Sequence, residues 1–438
     1  MSYEQNKKMK TMIRLLTCAV VAAMSTEVSK AAINIPSDGS DGALVITNDT
    51  VIDLSQAVTG NWDDNNSANE GNGIYDSNKW AVVFKYSSVV VQGGATVTFK
   101  NHASRAPVVW LVSGDVSING TVSLNGQDAM IAPALAEPGP GGFRGGAGYY
   151  AANASCAAGF GPGGGDIAGQ IIWGQYYGAG GSYGSVGKYG SPTYGNPSLI
   201  PLVGGSGASG GSDSNHSGGG GGAGAILVAC GGTLSVTGAI QANGAAGVQT
   251  YGGFGGSGPA WSGGGSGGGI RLVAESLVGG GLLQALGGGG NDFGGLGRIR
   301  IERGTNTSTL TIVPDPSVVN LTSGANPQIW LPTNGPTIKV LSIGGNVSPA
   351  DPRAEFGAIG ADIVLPQVTN TTVVVETTNV EQASVVTVRA TPRSNGNYSE
   401  ATATVTAVIS EDPLVLRWTA NVPVQNGYAA IQAKVVRP

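Results

Sequence analysis

The chain is poor in most of what enzymes and nucleic-acid binders rely on. Of its 438 residues only 11% are charged, 2 are histidine and 3 are cysteine. The net charge is −5 and no basic stripe occurs, so the electrostatic footprint of a nucleic-acid-binding protein is missing. There is no HExxH helix, CxxC pair, nucleophile elbow or phosphate loop, and the many GxG strings are compositional. No apolar run is long enough to span a bilayer. In place of these the chain has 76 glycines, which excludes an ordinary helical enzyme.

The N-terminus reads as an export signal. Lys7, Lys8, Lys10 and Arg14 precede the apolar run Leu15 to Met24, and Ser29-Lys30-Ala31 supplies small residues for cleavage, so residues 1–31 are expected to be removed. That segment carries five basic and two acidic side chains, so the mature chain has a net charge of −8 and is expected to be secreted or cell-surface, with no transmembrane segment. Cys18 leaves with the signal. Cys156 and Cys230 remain, and in an oxidising compartment they form either one disulfide or two separate thiols.

The organising unit is Pro107 to Gly126, PVVWLVSGDVSINGTVSLNG. It recurs as AILVACGGTLSVTGAIQANG (225–244), as IRLVAESLVGGGLLQALG (270–287) and, truncated, from Ile299 as IRIERG. Each copy is a strand, a Gly-containing corner and a second short strand. A repeat of about twenty residues cannot bury its own apolar face, so copies stack into a solenoid. The alignment puts Leu111, Leu227, Leu272 and Ile301 in one inward column, with Trp110, Ile226, Arg271 and Arg300 in an outer column partly covered by other chain. Asn125 and Asn243 fall at one corner, where amides can hydrogen-bond along the axis.

The remaining stretches are excursions and a change of composition. Residues 33–54 start or cap the solenoid, and 81–101 form the coil before the best repeat. Two Gly/Tyr-rich excursions, 127–223 and 245–268, interrupt a body spanning 32–304. Such glycine runs either stay mobile or pack side by side as extended, polyproline II-like segments with aromatics sealing the edges; the second is favoured, on one elaborated flank over the Trp110 and Ile226 column. Residues 305–336 read as a terminal coil and Pro-rich connector. From 337 to 438, seven short alternating strands suggest an antiparallel sandwich with Trp418 and Tyr428 at its core. The fold class expected is all-β: a right-handed parallel β-helix with Gly-rich insertions plus a C-terminal antiparallel β-sandwich.

The interrupted coils resemble secreted glycine-rich right-handed β-helix proteins of Gram-negative bacteria, over roughly 43–303, and the C-terminal strands resemble immunoglobulin or fibronectin III-like modules in architecture. The resemblance implies a surface, matrix or adhesive protein, while relatives with a pectate-lyase-like fold act on acidic polysaccharides. A lyase needs carboxylates on one outer face to hold Ca²⁺, plus a basic side chain to take a proton. Asp115, Asp128, Glu275, Asp292 and Glu302 with Arg271, Arg298 and Arg300 are the residues available, and they do not concentrate on one face.

Two further patterns are read both ways. Asn61 to Trp80 holds Asp63, Asp64, Asn65, Asn66, Asn69, Glu70 and Asp76, either ligands for Ca²⁺ or the ordinary residues of an exposed turn; no other cofactor is implied. Trp62 and Trp80 flank it as sugar platforms or packing groups. Trp110, Tyr149, Tyr150, Tyr176, Tyr177, Arg271 and Arg300 make up the candidate ligand-contact face, since Tyr joins apolar area to a hydrogen-bonding tip. The leading expectation is a structural or adhesive protein, a matrix or filament subunit contacting itself, other surface proteins or polysaccharide. The alternative is a polysaccharide-active lyase or hydrolase.

Overall fold

A computed structural model describes residues 32–64, 69, 71–131, 134–148, 156–167, 171–172, 175–176, 178–211, 217–253, 256–290, 292–353 and 360–438, with backbone only at 171–172, 175–176, 249–253 and 256–261. The N-terminal body is a β-helix whose coils are triangular. On the first face, Ala81–Tyr86, Val108–Val112, the first half of Ala225–Val236, then Gly269–Val278, Arg298–Asn306 and Ser317–Asn320 pair in parallel. The second face runs Ala43–Ile46, Ser88–Val91, Val116–Ile118 and the later halves of the long strands. The third is one six-stranded sheet: Thr50–Asp53, Thr96–Lys100, Thr121–Ser123, Ala239–Gln241, Leu282–Gln284 and Thr311–Val313. Glycine turns the corners. A Cβ on Gly238 would lie 1.9 Å from the Gly120 carbonyl oxygen of the coil below.

Stacking places like side chains on like. Val82, Val108, Ile226, Ile270 and Ile299 form one inward column on the first face, and Phe84, Trp110, Val228, Leu272 and Ile301 form the next. Each fully buried aliphatic side chain of this kind contributes about 1.5–3 kcal/mol.

The expected register is corrected here. Only Leu272 and Ile301 face inward; Leu111 and Leu227 lie on the outer side of the same sheet, in two different columns, Lys85–Leu111–Ala229–Val273–Glu302 and Val83–Val109–Leu227–Arg271–Arg300. Trp110 and Ile226 are interior rather than outer. Two causes act together: a bulge between Cys230 and Thr233 gives the fourth coil one extra residue, and the first face is apolar on both sides, so alternation carries no parity signal.

The outer side is covered, as its apolar half requires, and from the glycine-rich excursion Leu202 packs on it. Ile33 and Ile35 at one end, and Leu321, Ala325, Ile329 and Trp330 of the connector, pack across it. The connector therefore straps the last coil back to the first, where Ala325 accepts a hydrogen bond from the Asn34 amide and Trp330 meets Trp62.

The glycine-rich segments leave the helix at the corner between the third and first faces and pack into a bundle. They are neither helix nor strand, yet they are buried and joined by backbone hydrogen bonds: Gly204 to Gly141, Gly205 to Ala223, Ala208 to Gly220, Gly220 to Gly263, Ala223 to Ser266, Gly267 to Gly295. A Cβ on Gly207, Gly268 or Gly288 would sit 1.8 Å from a neighbouring carbonyl oxygen, so backbones touch where side chains normally stand. Residues 285–297, GGGGNDFGGLG within them, supply a third excursion that the repeat reading had left inside the solenoid.

The C-terminal part is a sandwich of a five-stranded and a three-stranded antiparallel sheet around Val373, Val375, Val386, Val388, Leu416, Trp418 and Val422. Trp418 is in the core and donates to Thr377 Oγ1 at 2.8 Å. Two expectations fail: Tyr428 is 43% exposed, and one of the seven strands expected, ADIVLP at 361–366, does not form, leaving Val364 82% exposed. The sandwich rests on the glycine bundle. Arg389 donates to the Gly161 carbonyl at 3.1 Å, and Gly396 exchanges backbone bonds with Cys156 and Ala158.

Candidate functional site

The acidic loop is organised around a lysine. Lys85 Nζ, buried, donates to Asp38 Oδ2 at 3.1 Å and to the Asp64 carbonyl at 2.6 Å, while Asp41 Oδ2 accepts from the Lys85 amide. An internal ammonium thus stands among oxygens where a Ca²⁺ was considered. Burial pushes the Asp41 carboxyl above its ordinary range, against the pull of the Lys85 backbone hydrogen bond. Asp76 is buried and spent on backbone: Oδ2 accepts from Trp62 N, Oδ1 from Asn78 N and Lys79 N. Asn69 Oδ1 accepts from Gly71 N at 2.9 Å. Asp63 and Asp64 have exposed side chains, and Asn65, Asn66 and Glu70 lie outside the described residues. Among the described residues no group of three or more His, Cys, Asp or Glu is placed to hold a metal ion. Both flanking tryptophans pack: Trp62 against Trp330 at 5.4 Å, and Trp80 against the helix core with its indole N–H on the Ser104 carbonyl.

The proposed contact face does not form as a face. Trp110 is inside the solenoid between Tyr86 and Phe99. Arg271 is 1% exposed beneath the strap, donating to Glu302 Oε1 at 3.0 Å and to the carbonyls of Gln328 and Ile329. Arg300 is part-buried and shares the same Glu302 oxygen at 3.1 Å. These three side chains close an internal ion network that fixes the strap. Tyr149, Tyr150 and Tyr177 lie outside the described residues, and Tyr176 is described by its backbone in a short hairpin, Ile171–Ile172 with Gln175–Tyr176. Cys156 and Cys230 are buried thiols, not a disulfide; Cys230 faces the helix core, where burial pushes its thiol up to about 12.

Two of the other acids named for a lyase, Asp115 and Asp128, are rung-to-rung staples, as are Asn119 and Asn125. Asp115 Oδ1 accepts from Thr233 N, Asn119 Oδ1 from Thr237 Oγ1, Asn125 Oδ1 from Asn243 N and Asp128 Oδ1 from Ala246 N, each across the same 118-residue offset. The Asn corner continues, since Asn243 Oδ1 accepts from Leu286 N. Asp292 pairs with Lys188 at 3.0 Å. His102 is buried, stacked on Tyr75 at 4.1 Å, with burial holding its pKa below the ordinary imidazole value. Tyr75 donates to Asp351 Oδ1 at 2.6 Å, which ties the sandwich's long loop to the helix; nothing at positions 75 and 351 alone signals that contact.

No family model, no curated protein and no solved structure matches this chain. Its architecture therefore rests on its own geometry.

One arrangement could serve recognition. The described glycine runs end together: Ala157 donates to Ala147, Gly210 to Ala157, Gly263 to Ser209, Ser209 to Ala179 and Gly264 to Asp292, so the described ends of these runs are hydrogen-bonded to one another. At one end of the bundle the described residues therefore bracket five segments of the sequence, 149–155, 168–177, 212–216, 248–261 and 291–293. They contain Tyr149, Tyr150, Trp173, Tyr176, Tyr177, Tyr251, Phe254, Trp261 and Phe293, and in the first four Asp213 is the sole charged residue. Tyr183 and Tyr194, by contrast, stack 4.7 Å apart within the bundle and seal it.

Proposed function

We propose that the chain is a secreted or cell-surface structural and adhesive protein, in which the β-helix and glycine bundle form a rigid mount for a recognition tip. The observation that carries this reading is the meeting of the described ends of the glycine runs at one end of the bundle, with the intervening segments of sequence rich in aromatics and nearly free of charge. Aromatic rings with amide and hydroxyl neighbours suit the apolar faces and hydroxyls of uncharged sugars, and equally the surface of a protein partner. A mount packed through its backbone loses little entropy on binding, because it is ordered beforehand. The leader-like residues 1–31 and the resemblance to exported β-helix proteins of Gram-negative bacteria support an extracellular location. Among the described residues no helix is long and apolar enough to cross a membrane. The polysaccharide-active alternative needs two carboxylates facing one groove; among the described residues Asp115, Asp128, Asp292 and Glu302 are each engaged by neighbouring coils or cations.

The test is binding of the full mature chain to a glycan array and to intact bacterial surfaces, beside a variant in which 171–177 is replaced by a Ser/Gly segment of equal length. Binding lost in the variant at an unchanged melting temperature is the expected result. Equal binding by both proteins would remove the tip from the recognition surface.

A further inference from the structure

The two ends of the solenoid differ. At the N-terminal end the chain folds over its own core: Leu54 is fully buried, Ile46 and Tyr75 are buried, and Ile74–Asp76 runs antiparallel to Ala81–Tyr86, which breaks the parallel order on the first face. At the C-terminal end no such closure occurs among the described residues. Inward residues of the fifth and sixth coils, Leu272, Leu283, Ile299 and Ile301, are at most 3% exposed. The next inward residue on the first face, Val318, which pairs with Ile301, is 46% exposed, and Leu310 and Ile312 are half-buried.

Two strands end their sheets there. Thr311–Val313 pairs only with Leu282–Gln284, and Ser317–Asn320 only with Arg298–Asn306, so each keeps one free edge among the described residues. Both are β-branched and uncharged, TIV and SVVN; the devices that blunt an edge, Pro314, Asp315 and Pro316, sit in the corner between them. The connector turns away along the outer face, and the loop at Pro197 meets Ser317, whose hydroxyl donates to its carbonyl at 2.7 Å.

We propose that this end is a self-association surface, through which two copies of the chain join end to end about a two-fold axis. The occupant must present strand edges on two faces inclined as in this coil, together with an apolar rung between them, and a second copy of the same coil does so. A head-to-tail partner would offer its N-terminal end, where Ala43–Ile46 and Thr50–Asp53 keep free edges on the second and third faces among the described residues. There the first face is closed by the antiparallel strand and Ile46 and Leu54 are already buried, so only the third faces would meet. A contact that pairs both free edges of this end with those of the same end in a second copy gives a closed, isologous dimer and not a fibre. With the axis through the corner at Pro314–Pro316, Thr311–Val313 of each copy pairs antiparallel with Ser317–Asn320 of the other, which would bury Val318, Leu310 and Ile312. This inference is independent of what the bundle tip recognises. It would, however, set two tips on one particle and so raise avidity.

Sedimentation and light scattering of the full mature chain over a hundredfold concentration range decide the matter. A monomer–dimer equilibrium is expected, weakened at least tenfold by Val318→Lys, whose long side chain can reach solvent in the monomer. In the wild type, hydrogen exchange at 311–320 should slow as concentration rises, a readout that does not depend on the variant folding. A monomer throughout, a dimer whose exchange at 311–320 ignores concentration, or an open ladder of larger species would each overturn the proposal.

Discussion

The solenoid and the glycine bundle solve the same problem in opposite ways. In the solenoid, backbone hydrogen bonds run from coil to coil while Val, Ile, Leu and Trp110 fill the interior, so burial of side chains provides the driving force. In the bundle there is almost no side chain to bury. Its backbones approach until carbonyls occupy the places of Cβ atoms, and each run bonds to several neighbours. Cohesion there comes from hydrogen bonds and dispersion at close range, against the high entropy cost of ordering glycine. The solenoid should therefore tolerate a change of shape better than the bundle tolerates any added atom.

The most severe test is one methyl group. Gly207→Ala puts a Cβ 1.8 Å from the Arg144 carbonyl oxygen, and we predict a loss above about 4 kcal/mol in chemical denaturation, at the extreme of single substitutions. Gly289→Ala, where nothing lies within 4 Å, should stay within about 0.5 kcal/mol. Similar melts for the two variants would break the contrast between the regions.

Trp110→Ala probes the other mode. Deleting a side chain enclosed by Tyr86, Phe99 and the stacked coils should cost about 3–5 kcal/mol, still leaving a folded protein if the rest of the column holds. A change of under about 1 kcal/mol would contradict its inward placement.

A smaller effect is expected at the strap. Arg271→Met removes the buried guanidinium from Glu302, which keeps Arg300; we predict a loss of about 2–3 kcal/mol, below the full cost of stranding a charge, with faster proteolysis at the connector. Undiminished protection of 321–336 would show that the apolar contacts alone hold it.

The smallest effect concerns pH in the bundle. Burial raises the Asp292 carboxyl above its ordinary value, partly offset by Lys188, so its ionised form is a net liability in the folded state. That liability is present above the folded pKa and is relieved as pH falls through it towards the unfolded value. On acidification from neutral, the wild type should therefore gain slightly on Asp292→Asn, by under about 2 °C in Tm. A wild type that loses ground on acidification would reverse the assigned sign.

Much of this was legible from residues. The Pro107–Gly126 repeat, its Gly and Asn corners and the Thr/Val-rich strands after 337 follow from local chemistry: β-branched alternation, left-handed-tolerant turns and composition. The 118-residue spacing that aligns Asn125 with Asn243 reappears as four side-chain bonds. The candidate site was less legible, because its residues are used by contacts remote in sequence: Lys85 with Asp38 and the Asp64 carbonyl, Arg271 with Glu302 and the connector, Tyr75 with Asp351.

What the amino-acid order determined by itself was the repeating unit, the places where coils turn, and that runs without Cβ atoms can lie side by side. What only the tertiary structure decided was which side of each strand faces in. The first face is apolar on both sides because the connector, at 321–330, returns to cover its outside, and a bulge at Gly231–Gly232 absorbs one residue between coils. Side-chain parity reverses with a single-residue shift, so where both faces are buried no local pattern can choose between the two registers, and only the stacked neighbours do.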